Sequence, residues 1–211
     1  MIVGGIPMLF GGGGITFVAT AQNYAPSTTS LVITKPTGTV SGDLMIAVMS
    51  RSSGSGSRTW SPPAGWTQVL GTVASASPSM GIAYRIAGAS EGANYTFTFS
   101  NTANLAGDII TYRGANYDAI GTVSTDSANP ITATAVTVAS GLLLAVYMSD
   151  AASVTLSTPS GFSAVDANSD ATAPSLAIFS KLVSSGSSGT VDSTQTGGGV
   201  FNSILLSIKP S

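Results

Sequence analysis

A glycine turn followed by an unbroken apolar run occurs twice in this chain. It appears as Ser41-Gly42-Asp43-Leu44-Met45-Ile46-Ala47-Val48-Met49-Ser50 and again as Ser140-Gly141-Leu142-Leu143-Leu144-Ala145-Val146-Tyr147-Met148-Ser149. Each run is about seven residues long, too short to cross a bilayer and too continuous for a half-buried strand, and so predicts a strand covered on both faces. The flanking residues recur as well. Pro63, Gly65 and Trp66 correspond to Pro159, Gly161 and Phe162, and Pro78-Ser79-Met80-Gly81-Ile82 corresponds to Pro174-Ser175-Leu176-Ala177-Ile178. Trp60 falls on Leu156, Arg85 on Lys181, and Ile109-Ile110-Thr111-Tyr112-Arg113 on Leu205-Leu206-Ser207-Ile208-Lys209, with a first-copy loop three residues longer at the Ser/Gly tract. Agreement at so many positions predicts an internal duplication. The expected fold is all-β: an antiparallel, jelly-roll-like β-sandwich over residues 15–211, built from two six-strand halves. Repeat 1 spans about 28–114 and repeat 2 about 128–210, joined near 116–119. One shared sandwich is favoured over two domains, because the join carries no long Pro/Gly linker.

Other strand signals fit this plan. Residues 15–19 and 31–34 are short β-branched runs, the second stopped by Lys35-Pro36. Met80, Ile82, Tyr84 and Ile86 alternate with Gly81, Ala83, Arg85 and Ala87, and Tyr95, Phe97 and Phe99 alternate with polar positions, the period of half-buried strands.

Composition limits the chemistry. With no histidine and no cysteine, Ser-His-Asp and Cys-His nucleophile systems, imidazole-ligated metals, thiolate zinc and disulfides are impossible within the chain. A net charge of −2 carries no electrostatic footprint for nucleic acid. Charged residues make up only 8% and hydrophobic residues 43%, so the surface must be coated by serine, threonine and the 25 glycines. So weakly self-repelling a surface favours association, and the expectation is that part of it is buried against partners.

Residues 1–14, MIVGGIPMLFGGGG, contain no charge. A signal peptide would need a basic start and an intact apolar run. Six glycines and a proline also exclude a membrane-spanning helix here. The segment reads as an apolar arm on a glycine hinge, with Ile2, Val3, Ile6, Met8, Leu9 and Phe10 as the candidate partner-binding side chains. Full burial of all six would contribute on the order of 10 kcal/mol. Ordering the segment costs about 1 to 2 kcal/mol per residue, so one arm binds marginally and many linked copies bind well. An arm folded back on its own domain is the equal alternative.

Carboxylates are the remaining general acids and bases: Asp43, Glu91, Asp108, Asp118, Asp126, Asp150, Asp166, Asp170 and Asp192. Most sit in turn contexts, where they accept backbone hydrogen bonds, and a glycosidase-like pair is not favoured. Asp166, Asn168 and Asp170 offer oxygens to calcium but lack the glycine and terminal glutamate of a calcium loop. No metal or cofactor is expected. Trp60, Trp66 and Tyr95 are candidates for a sugar-stacking platform. Their counterparts Leu156 and Phe162 point instead to positions that require apolar bulk. Arg85 and Arg113, matched by Lys181 and Lys209, read as solvated charges protecting strand edges.

At Gly42-Asp43-Leu44-Met45-Ile46-Ala47, Pro62-Pro63-Ala64-Gly65-Trp66-Thr67, Ala83-Tyr84-Arg85-Ile86-Ala87, Glu91-Gly92-Ala93-Asn94-Tyr95-Thr96-Phe97-Thr98 and Ile110-Thr111-Tyr112-Arg113-Gly114, the chain resembles a diffuse family of tailed-bacteriophage virion proteins. The likeness runs from about Leu31 to Pro210. It implies β-sandwich or jelly-roll modules used as head decoration (cement) proteins, head fibres or tail appendages, with no catalytic residues. The implied role is a non-enzymatic capsid decoration protein in the virion, assembled in the bacterial host cytoplasm. The implied partners are the major capsid protein and copies of itself, as a homotrimer, with neither nucleic acid nor membrane bound. The alternative is a tail or fibre module that binds a host-surface glycan or receptor.

Overall fold

The computed structural model describes residues 14–52, 59–71, 79–168 and 174–211. The arm side chains Ile2, Val3, Ile6, Met8, Leu9 and Phe10, most of the Ser/Gly tract, Pro78 and Asp170 lie outside the described residues. Among the described residues every regular element is a strand. The first half supplies β1 (Thr16–Thr34), β2 (Leu44–Ser52), β3 (Trp60–Ser61), β4 (Thr67–Leu70), β5 (Ser79–Ile86) and β6 (Asn94–Arg113). They form one six-stranded sheet in the order β1-β6-β2-β5-β4, with β3 beside β6. The second half supplies β7 (Ala115–Ile120), β8 (Ser124–Asp126), β9 (Ile131–Ala133), β10 (Thr137–Val138), β11 (Gly141–Ser149) and β12 (Thr155–Leu156). It continues with β13 (Ser163–Asn168), β14 (Ser175–Val183), β15 (Gly186–Ser187), β16 (Val191–Ser193), β17 (Gln195–Thr196) and β18 (Phe201–Pro210). Its six-stranded sheet runs β13-β14-β11-β18-β7, with β8 beside β18, and the short pairs β10-β15, β12-β17 and β16-β9 stand apart. Every described pairing is antiparallel.

The two sheets pack as a sandwich, which explains the apolar runs. Leu44, Ile46 and Val48 of β2 meet Leu142, Leu144 and Val146 of β11 in one core, together with Ile82, Ile110, Tyr112, Ile178, Leu206 and Ile208. The intervening residues face outward into separate cores. Met45, Ala47 and Met49 pack with Trp60, Trp66, Tyr95 and Phe97, while Leu143, Ala145 and Tyr147 pack with Val154, Phe179, Val191 and Phe201. Strands β1 and β6 are long because they serve both the inter-sheet core and the outer core of the first sheet. Their ladder shifts register at Ala25/Thr28, where Ser27 takes a φ of 48°, and again at Thr28/Ser30. Past these irregularities, Leu31 and Ile33 of β1 and Tyr95 and Phe97 of β6 belong to the outer core of the first sheet. In the second half the outer core takes Ile131 and Ala133 of β9 and Val191 of β16.

The sheets share more than strand order. Val48 lies between Ile82 and Asp108, and Val146 lies between Ile178 and Ile204. Ladder shifts fall between Gln68 and Leu70 in one sheet and between Ala164 and Asp166 in the other. These registers correct the sequence pairing of the central runs by one residue: Leu44 matches Leu142, not Leu143, and Asp43 matches Gly141. The first half is therefore longer by two residues, not three, between its central strand and the next shared strand. A strand apolar on both faces has no alternation by which to set its register, so the slip is invisible in sequence although it exchanges the two faces. The join also moves. β6 passes into β7 through Gly114 alone, and 116–119 lie within β7. Gly114 takes a φ of 67°, and a Cβ there would stand 2.9 Å from the Gly14 carbonyl oxygen.

Candidate functional site

Most of the sequence-derived candidates have structural work. Trp60, Trp66 and Tyr95 are only 6%, 8% and 6% exposed, so they form no stacking platform. Trp60 donates to the Leu70 carbonyl at 3.1 Å, and Trp66 meets Tyr95 edge-on with ring centroids 5.2 Å apart. Among the carboxylates, Asp43 accepts from the Val40 amide, Glu91 from Gly88, Asp118 from Ala139, Asp126 from Ala128 and Asp150 from Val200. The contacts of Asp43, Glu91 and Asp126 are the expected turn contacts, while those of Asp118 and Asp150 tie together segments 21 and 50 residues apart. Asp108 is different: it is 1% exposed on β6, and neither oxygen has a hydrogen-bond partner among the described residues. Burial, reinforced by the negative charge of Asp166, pushes its carboxyl well above the ordinary range.

Of the cations expected to be solvated, Arg113, Lys181 and Lys209 are exposed, and Arg85, Arg113 and Lys209 are also paired. Arg113 donates to Asp43 at 2.9 Å and 3.0 Å, and Lys209 lies 3.5 Å from Asp118. Arg85 binds Glu91 at 2.9 Å and also donates to the Ala64 carbonyl at 2.9 Å. Burial works against the Glu91 charge, but the Gly88 amide, the Tyr95 hydroxyl and Arg85 together hold its carboxyl below the usual range. Tyr95 donates to Glu91 at 2.8 Å, and its phenol is pushed up by burial and by that carboxylate. Trp66, Tyr95, Arg85 and Glu91 thus seal the outer face of the first sheet at the turn around Gly65.

The corresponding place in the second half is open. The turns match: Trp66 N–H donates to the Pro63 carbonyl at 3.3 Å, Phe162 N–H donates to that of Pro159 at 3.0 Å, and Gly65 and Gly161 take φ of 86° and 77°. By the ladder registers, Lys181 then stands for Arg85. Continuing the same spacing, Ser187 stands for Glu91 and Val191 for Tyr95. Smaller side chains leave a groove of about 250 Å³ lined by Leu143, Phe162, Lys181, Ser188, Val191 and Asp192, among others. Lys181 Nζ lies 5.7 Å from the Phe162 ring centroid. Asp192 accepts from the Thr132 hydroxyl at 2.7 Å, and buried Tyr147 holds β16 by donating to the Val191 carbonyl at 2.8 Å. Sequence reasoning missed this groove. The signal was present in the pairing of Phe162 with Trp66, had the loss of bulk been followed to Val191.

Comparisons with protein-family models, with curated proteins and with solved structures find no match to this chain.

Proposed function

We propose that the protein is a non-enzymatic structural component of a tailed-phage virion, a decoration protein that cements the head shell as a homotrimer against the major capsid protein. The observation that carries this reading is the way the few charges are used. Arg85, Arg113 and Lys209 are consumed in pairs within the chain, so the surface offered to a partner is more neutral than a composition of 8% charged residues already implies. Neutral Ser/Thr surface costs less to desolvate than charged surface, which matters in a many-copy assembly where weak contacts add. Backbone hydrogen bonds accepted by five of the carboxylates, three of them within their own turns, also favour a non-enzymatic part.

Mass spectrometry of purified virions, with copy number taken against the major capsid protein, tests the location. A count in the hundreds supports cementing, a few dozen or fewer moves the protein to the tail or a vertex, and absence removes the virion reading. The arm is tested by deleting residues 1–14. Ile15 is 4% exposed in the inter-sheet core, so the truncation stops before the first described side chain of that core. The shortened protein is expected to fold and to fail to join the particle. Unchanged occupancy would sink the arm's role.

A further inference from the structure

We infer that the groove over the second sheet is a binding site for one neutral sugar ring. This goes beyond the virion reading and does not depend on where the protein resides. The groove has the two kinds of surface that a sugar presents. The half-buried Phe162 supplies apolar surface for the C–H face of a pyranose, above a floor of buried Leu143 and Val191, and Ser188, Lys181 and Asp192 supply donors and acceptors for its hydroxyl edge. Lys181 and Asp192 form no ion pair with each other among the described residues, and each keeps capacity for a ligand. Their opposite charges select for neutrality: a free anion meets Asp192, and a free cation meets Lys181. At about 250 Å³ the volume falls below that of drug-sized pockets, which limits the occupant to a single ring.

The first half supplies the internal comparison. There Arg85 is neutralised by Glu91, and Tyr95 and Trp66 fill the space. In the second half the cation is kept while the carboxylate becomes Ser187 and the tyrosine becomes Val191. The second half thus opens a groove in which Lys181, among the described residues, lacks the ion pair that Arg85 makes with Glu91.

Titration of the isotope-labelled full chain with D-glucose, D-galactose or N-acetyl-D-glucosamine, read by amide NMR, tests the site. At least one sugar is expected to shift the amides of Phe162, Lys181, Val191 and Asp192 with a dissociation constant on the order of 1 mM. Asp192→Asn keeps an acceptor for Thr132 and is expected to weaken binding at least about tenfold, the loss typical of a charged hydrogen bond. Val191→Tyr, which imports the first-half residue, is expected to abolish it. The unperturbed remainder of each variant's spectrum reports that the fold is kept. The proposal is overturned if no sugar moves these amides, if D192N binds as tightly as the parent, or if glycine or sulfate moves them more than the sugars do.

Discussion

Asp108 stands on β6 at the ladder position that Ile204 holds on β18, at the inter-sheet core of aliphatic and aromatic side chains and within reach of the Asp166 charge. Its folded-state pKa lies well above 3.8, while an unfolded aspartate titrates near that value. The unfolded chain therefore releases this proton first as pH rises. Stability falls from about pH 4 upward until the folded carboxyl also titrates, and the effect is absent below that window. Asp108→Ile is expected to raise stability at neutral pH by about 1 to 3 kcal/mol, the penalty of an unsatisfied buried polar group. Asp108→Asn should remove the pH slope while keeping the shape. Urea denaturation of all three proteins across pH 4 to 9 checks this, and parallel curves for parent and D108N would show that Asp108 is not the titrating group. The position was legible in part. Leu105-Ala106-Gly107-Asp108-Ile109-Ile110 reads as an apolar strand with one intruder, whose match to Ile204 marks it as buried. Its isolation from hydrogen-bond partners depends on which strands lie across from it, and no local pattern encodes that.

At the scale of elements, facing residues exchange bulk between the two sheets. Trp60 of β3 lies against Gly81 of β5, where any Cβ would collide with the indole. The second half has Leu156 and Ala177 at the matching positions, a smaller cover over a larger base. Gly81→Ala alone is expected to destabilise by about 1 to 3 kcal/mol through overpacking. Trp60→Leu alone should destabilise through a cavity. Combined, the two should recover part of the loss, giving a favourable coupling of about 1 kcal/mol in a double-mutant cycle. Additive losses would mean that the indole is held by its hydrogen bond to the Leu70 carbonyl and not by its fit to Gly81. The sequence pairing exposed this exchange because unambiguous landmarks lie close by, Pro63 and Gly65 just after β3 and Ile82 within β5. It failed on β2, where apolar residues on both faces allow a one-residue slip without any mismatch in polarity. The groove was hidden for a related reason: a space is defined by Phe162, Lys181 and Val191 together, which lie on separate segments, and pairwise comparison weighs each alone.

For the whole molecule, the central question is whether two similar sheets behave as two domains or as one. The main core takes Leu44, Ile46 and Val48 from one half and Leu142, Leu144 and Val146 from the other, so separating the halves would expose an aliphatic face on each. Tyr84 of the first sheet stacks on Tyr117 of the second with centroids 4.6 Å apart, and Gly114 is the whole connection between β6 and β7. Six buried aliphatic side chains at about 1.5 to 3 kcal/mol each already match the total stability of an ordinary domain. The expectation is that neither sheet stays folded without that contact and that unfolding is a single cooperative transition. Both tryptophans lie in the first half, which makes this measurable without labels. Tryptophan fluorescence reports the first sheet, far-ultraviolet circular dichroism reports both, and their denaturation midpoints are expected to coincide. Residues 15–114 expressed alone should self-associate through the uncovered face or fail to fold. A monomeric, folded first half, or a fluorescence midpoint separated from the dichroism midpoint, would establish two independent domains and reduce the inter-sheet core to a docking surface.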